Sequence, residues 1–261
     1  MDSAEKLISR FYPVLAAGAR QGDSPAHHAE LLHQLCTADG LLELLDWTRQ
    51  GLGADPLACM WLGSLRWYRV VTGSYPPGAP QPPSRAVDAQ LATLRSEGSL
   101  ILEPESAGGS LAGLAEGQMA YPSAPAQPES EASQALLRVV PVGLVPYIDE
   151  PMRRAWARQT VALTHGHPAL LRRAEELAVL VHELAISSAP ISDSTAQARR
   201  EITDAVPEAS IREILERQLD AALNPEDAKG PEIPADRDLD TGLLVVIARL
   251  AQQWEQITRA Q

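Results

Sequence analysis

Apolar residues recur at intervals of three and four along almost the whole chain, and this periodicity constrains the fold more than any other property of the sequence. After Pro168, the residues Leu170, Leu171, Ala174, Leu177, Ala178, Val181, Leu184 and Ala185 fall on one broad stripe, which is the signature of an amphipathic helix rather than a strand. His167-Pro168 marks its start, because proline is at ease in a first helical turn. Ile211, Ile214, Leu215, Leu219 and Leu223 repeat the pattern after Pro207. Asp55-Pro56 reads as an N-cap followed by proline at the first helical position, opening a helix through Trp61, Leu65, Tyr68 and Val71. Residues 243–248 are apolar on every side, and periodicity alone leaves open a central buried helix or a short strand. Aromatic residues make up only 4% of the chain, with Phe11 the single phenylalanine. Sheets draw on aromatic and β-branched side chains, whereas Ala, Leu, Arg, Glu and Gln lose little freedom in a helix. The fold class expected is all-α.

Two proline-rich breaks interrupt the helices. Residues 74–84 carry Pro76, Pro77, Pro80, Pro82 and Pro83, and residues 120–133 carry Pro122, Pro125 and Pro128. Both are expected to be loops, since proline lacks the N–H that a helix or ladder needs; the second reads as long and weakly specified. No internal repeat is visible and neither break separates two self-sufficient apolar blocks, so residues 1–261 are expected to form a single multi-helix domain. A formal net charge of −12 argues against nucleic-acid binding, which needs clustered Lys and Arg. Arg153, Arg154 and Arg158 read as one solvated helix face. Cys36 and Cys59 form no Cys-x-x-Cys and suit a reducing compartment, each as a small buried hydrophobe. The first residues, Met1-Asp2-Ser3-Ala4-Glu5-Lys6, lack the basic-then-apolar pattern of a signal peptide. Residues 243–251 are far shorter than the roughly 20 apolar residues a bilayer span requires. The expectation is a soluble, cytoplasmic protein without a membrane partner.

Ala135-Leu136-Leu137-Arg138-Val139-Val140-Pro141-Val142-Gly143-Leu144 is followed about twenty residues on by Leu163-Thr164-His165-Gly166-His167-Pro168. In order, spacing and the helix that follows, this stretch resembles the middle of the ADP-ribosylglycohydrolase family, where a G-A-L-M-R-x-x-P-x-G-L segment precedes L-T-H-x-x-P. Leu65-Arg66-Trp67-Tyr68-Arg69 resembles the family's L-R-W-Y segment. The run Gly108-Gly109-Ser110-Leu111-Ala112-Gly113-Leu114 resembles its P-G-x-[ST]-x-x-A-L element. The resemblance implies a compact all-α protein with two magnesium ions in a cleft, hydrolysing the glycosidic bond between ADP-ribose and a side chain or small molecule. It also implies a ligand pocket drawn from Gly109, Ser110, Ser133, Gln134, Arg138 and His165. Hard dications take oxygen ligands, and a pair of them clamps hydroxyls and activates water.

The metal motifs of the family are altered here. Thr37-Ala38-Asp39-Gly40 stands where a T/S-D-D-T motif is expected, with one Asp gone and the closing Thr replaced by Gly. Glu43 shares a helical face with Asp39 but reads as solvated surface. The early G-D-A-x-G element is reduced to Gly22-Asp23-Ser24-Pro25. Asp236-Arg237-Asp238-Leu239-Asp240-Thr241-Gly242 fits a C-terminal G-D-x-D-[ST] motif, with Asp238, Asp240 and Thr241 as ligands. It fits equally an earlier V-x-D-T-L segment, in which Asp238 or Asp240 caps a helix. Glu129 and Glu131 place carboxylates where a pyrophosphate would be repelled, and Glu103-Pro104-Glu105 stands where the family tends to place an Arg before Pro-Gly. Three readings follow. The first is a degenerate member that holds no cofactor and binds a protein or a small molecule. The second is a divergent magnesium-dependent hydrolase using Asp39 with Asp238 and Asp240. The third is an unrelated helical interaction module. Elsewhere, His165 and His167 are expected to hold the loop between helices, Ser110 to act as an N-cap rather than a nucleophile, and His27, His28 and His33 to lack a zinc spacing.

Overall fold

The structure, a computed structural model, describes residues 2–19, 28–96, 100, 102–187, 190–224 and 239–259, the side chains of residues 28 and 239–241 excepted. Among these residues the elements are α-helices and two 3₁₀ helices, Pro104–Ala107 and Ser133–Val139, with no strand. The α-helices are α1 (Ser3–Ala19), α2 (His28–Arg49), α3 (Pro56–Thr72), α4 (Ala86–Ser96), α5 (Gly108–Leu114) and α6 (Val140–Gly143), then α7 (Glu150–Ala162), α8 (Pro168–Ile186), α9 (Asp193–Asp204), α10 (Ala209–Leu223) and α11 (Leu239–Arg259). Residues 243–248 therefore lie in a helix; the strand alternative is overturned. Leu243, Val246, Ile247 and Ala248 are buried there, while Leu244 and Val245 face outward in part.

Local chemistry places the ends. Asp55 caps α3 by accepting from Leu57 N at 2.9 Å, with Pro56 in the first turn, and the left-handed Gly73 closes the helix by donating to Arg69 O. That is the N-cap and αL pairing these residue types favour. α8 begins at Pro168, and all eight residues of its predicted stripe are buried. At roughly 1.5–3 kcal/mol for each large side chain withdrawn from water, that stripe fastens α8 against α7, α6 and α10, its packing partners.

α2 lies at the centre, against α3, the Ser133–Val139 helix, α6 and α11, while α1 packs on α10, α11 and α8. Phe11 of α1 stacks on Trp254 of α11, with centroids 4.2 Å apart. The buried apolar side chains make one contiguous cluster running from Leu7 to Trp254. Where α2 and α3 meet, the contact is backbone to backbone. A Cβ on Gly40 would stand 2.5 Å from Cys59 O, and one on Gly63 would stand 2.3 Å from Cys36 O. The Gly at position 40 thus serves helix packing.

Residues 74–84 form a loop without helix or strand. Residues 120–132 are also a loop, but a tightly specified one, and Ser133 opens the 3₁₀ helix. Gly166 N donates to Gln127 O, Ala126 N to Ala162 O and His167 N to Ser130 O. Gln127 adopts φ 44°, a region few residues with side chains enter. Its own Nε2 donates to Gly109 O at 2.7 Å and Thr164 O at 2.6 Å, holding it there. Arg153 departs from its expected exposure: it is buried and donates to Val145 O and Ile148 O, while Arg154 and Arg158 form outward pairs with Glu150 and Glu175. No helix among the described residues is long and apolar enough to cross a membrane.

Candidate functional site

Two polar clusters are built into the α2–α3 region. The first surrounds Arg138, which the Ser133–Val139 helix carries inward to 0% exposure. Its Nη1 donates to His33 Nδ1 at 2.9 Å and Ser110 Oγ at 3.0 Å, and lies 3.4 Å from Glu30 Oε2; its Nη2 donates to Thr164 Oγ1. Ser110 Oγ in turn donates to Glu30 Oε1 at 2.6 Å. Ser110 is thus a member of this network inside α5 rather than a cap; the N-cap position is Ala107. Burial pushes the Glu30 carboxyl upward, against the opposing pulls of Arg138 and Ser110. Glu30 and Arg138 are the network's opposite charges, so the pair enters the core as a compensated unit.

The His33 tautomer follows from its donor. A guanidinium only donates, so His33 Nδ1 is the acceptor and Nε2–H donates to Ser64 Oγ at 3.0 Å, which passes its own proton to Met60 O. His33 stacks on Trp67 with centroids 3.9 Å apart, and burial followed by the Arg138 charge keeps it neutral, its pKa well below the usual range. Thr164 Oγ1 accepts from Arg138 and also shares a 2.6 Å hydrogen bond with His165 Nδ1. The other ring nitrogen of His165, Nε2, is buried and has no partner. A Cβ on Gly109 would stand 3.0 Å from this nitrogen and 3.6 Å from Gln134 Nε2. Desolvation, then Arg138, drives the His165 pKa down to about 3. Gly109, Ser110, Gln134, Arg138 and His165 therefore meet at one place. Ser133 sits beside it, with its Oγ donating to Glu208 Oε2. Glu131 Oε1 lies 2.8 Å from His167 Nδ1, a contact between the loop and the turn before α8. Glu30, His33, Ser64 and Thr164 complete the network.

The second cluster surrounds Asp39. Asp39 and Glu43, four residues apart on one face of α2, are both buried, at 1% and 2% exposure; the solvated position expected for Glu43 is overturned. Arg85 grips Asp39 as a fork, Nε to Oδ2 at 2.7 Å and Nη2 to Oδ1 at 2.9 Å. Arg66 is fully buried alongside, 3.6 Å from Glu43 Oε2, 4.0 Å from Asp39 Oδ2 and 3.8 Å from Asp88 Oδ2, and donates to Pro83 O at 2.8 Å. Burial depresses the Arg85 pKa, but the Asp39 hydrogen bonds and charge outweigh it and raise the pKa.

These groups do not fit a divalent ion as arranged. Both Asp39 oxygens are taken by a guanidinium, and Thr37 lies about 200° round the helix from Asp39, given some 100° per residue. Thr37 Oγ1 is buried without a partner. Among the described residues, no group of three or more His, Cys, Asp or Glu is placed to hold a metal. Asp238 lies outside the described residues, as does residues 20–27 with the Gly22-Asp23-Ser24-Pro25 element and His27; Asp240 and Thr241 belong to the first turn of α11, their side chains outside the description. Cys36 and Cys59 are free and buried, and burial pushes both thiols up, Cys59 to about 11, which leaves them unreactive.

A family model described as ADP-ribosylglycohydrolase matches residues 16–254. No curated protein and no solved structure matches the chain.

Proposed function

The chain belongs to the ADP-ribosylglycohydrolase family, and from that premise we propose that it is a degenerate member that binds a partner or ligand without magnesium-dependent hydrolysis. The observation that carries this reading is the Arg85 fork, which claims both oxygens of Asp39. A carboxylate engaged in two charge-assisted hydrogen bonds is a poor metal ligand, because coordination would have to expel the guanidinium first. The ligand pocket supports the same reading. Arg138 is fully buried and engaged by Glu30, His33, Ser110 and Thr164, so its charge is already matched by Glu30 rather than held ready for a phosphate. His165 is neutral and presents a buried ring nitrogen without a partner. Glu208 and Glu131 add carboxylates at the neighbouring Ser133 and His167. Such a pocket suits an uncharged or weakly charged ligand with a hydrogen-bonding group for His165 Nε2, or a protein surface of that chemistry.

The experiment is a turnover assay on mono-ADP-ribosylated protein with MgCl₂, together with thermal unfolding in MgCl₂ and ADP-ribose. The expected result is no release of ADP-ribose and no magnesium-dependent rise in Tm. A ligand at about 100 times its Kd adds about 2.7 kcal/mol of stability, well within detection. Magnesium-dependent release of ADP-ribose would establish the divergent-hydrolase reading instead and direct mutagenesis to Asp39, Asp238 and Asp240.

A further inference from the structure

The cluster around Asp39 closes its charges without any added ion. Asp39 and Glu43 from α2 and Asp88 from the first turn of α4 supply three carboxylates. Arg66 and Arg69 from α3 and Arg85 from the end of the proline-rich loop supply three guanidiniums, each within 4.0 Å of at least one of those carboxylates. The arrangement is also structural glue. Asp88 Oδ2 accepts from Arg85 N at 2.9 Å, tying the start of α4 to the loop. Arg66 holds that loop through Pro83 O, and Arg69 lies over the Tyr75 ring at 5.1 Å. Six arginine and carboxylate contacts thus join α2, α3, the end of the 74–84 loop and α4.

We infer that the guanidiniums of Arg85 and Arg66 are the resident cations of this site, standing as permanent counter-charges to Asp39 and Glu43 in the place a metal ion would neutralise them. The site is thereby a metal-independent clasp that seats the 74–84 loop and α4 on the α2–α3 pair. The inference rests on the degenerate-member reading, but it predicts the sign of a stability change rather than the absence of turnover. In an acidic metal site without its ion, neutralising one carboxylate relieves repulsion and raises stability. In a closed ion-pair clasp the same change strands a buried guanidinium and lowers it.

The test is a double-mutant cycle on the full chain, D39N, R85Q and D39N/R85Q, followed by thermal unfolding in EDTA, MgCl₂ and MnCl₂. The expected result is a loss of several degrees in Tm for each single variant, a double variant no worse than the poorer single one, and a wild-type Tm indifferent to all three additions. Arg85 is the safer partner to change because its side chain is 19% exposed; should D39N fail to fold, R85Q and R85K with the metal titration of the wild type still decide. R85K keeps the charge but loses the fork, and is expected to fall between wild type and R85Q. The inference is overturned by a D39N protein more stable than wild type, by additive losses across the cycle, by R85Q as stable as wild type, or by stabilisation in MgCl₂ or MnCl₂ that the Asp39 or Arg85 substitutions alter. A magnesium-dependent hydrolase whose Asp39–Arg85 cycle still couples would overturn the function proposed above and leave the clasp standing.

Discussion

Replacing Gly63 by alanine tests the closest contact in the molecule. The new methyl carbon would stand 2.3 Å from Cys36 O and 3.1 Å from Cys36 C. Both obstacles are backbone atoms of α2, so no side chain can swing away. Ordinary contact begins near 3.4 Å, which requires α3 to retreat from α2 by about 1 Å. A gap of that size forfeits a quarter to a half of each dispersion contact along the seam. It also lengthens the His33–Ser64 bond and unsettles the His33–Trp67 stack, which cross the same seam. Overpacking of this kind costs about 1–3 kcal/mol, and more where the neighbours cannot relax; alanine's better helix propensity returns about 1 kcal/mol. With both obstacles in the backbone the upper end of that range applies, so the expected net loss is about 2 kcal/mol, a fall in Tm of roughly 4–8 °C for a chain of this size. Gly108→Ala is the control, because a Cβ there meets nothing within 4 Å, and its Tm should stay level or rise slightly. Calorimetry on both variants reads the difference. A Gly63→Ala protein as stable as wild type would refute the claim that these helices touch through their backbones.

Acid should unfold the protein through its buried neutral histidines. His165 titrates near 3 when folded and near 6.5 when unfolded, so between those values the unfolded chain binds the extra proton. Its contribution is intact above about pH 6.5 and is lost as pH falls toward 3, amounting to about 2 kcal/mol between pH 7 and pH 5. His33, depressed by burial and Arg138, adds in the same direction. Urea unfolding at both pH values, on wild type and His165→Gln, checks this; an equal pH slope in the two proteins would remove His165 from the account. Arg138→Met should cost about 3–5 kcal/mol, because it leaves Glu30 buried without its cation. The companion Glu30→Gln/Arg138→Met should recover part of that loss in chemical denaturation, and no recovery would show that the pair is not coupled.

How far the sequence could be read depended on whether the relevant partners were near in the chain. α3 and α8 were legible because Asp55-Pro56 and His167-Pro168 punctuate their starts and their apolar stripes are one-sided. α9 was not identified: its residues are mostly polar, with only Ile202 and Thr203 buried. The signal was the Ser192 cap, whose Oγ accepts from Thr195 N at 3.1 Å. In the site, Asp39, Ser110, Arg138 and His165 were found through motif resemblance, but their roles were not. Glu43 looks like surface on any helical wheel, and only the arrival of Arg66 and Arg85 from 23 and 42 positions further along explains its burial. Likewise nothing local separates Arg153, which turns in to backbone carbonyls, from Arg154, which turns out to Glu150. Glu30 and His33 carried a local clue, two polar residues three apart among leucines on α2 that are otherwise buried.

The Arg138 network also shapes how the chain comes together. Its members are far apart in sequence: Ser110 meets Glu30 across 80 positions, Arg138 meets Glu30 across 108, and Thr164 meets Arg138 across 26. Closing such loops costs entropy before any contact repays it. A partly assembled form would carry Glu30 or Arg138 in the core without its counterpart, at a penalty of several kcal/mol. Half-built states are therefore disfavoured on both counts. α2, α5, the Ser133–Val139 helix and the Thr164–His165 turn are therefore expected to lock together late and in concert, and the centre of the molecule to melt as one cooperative unit.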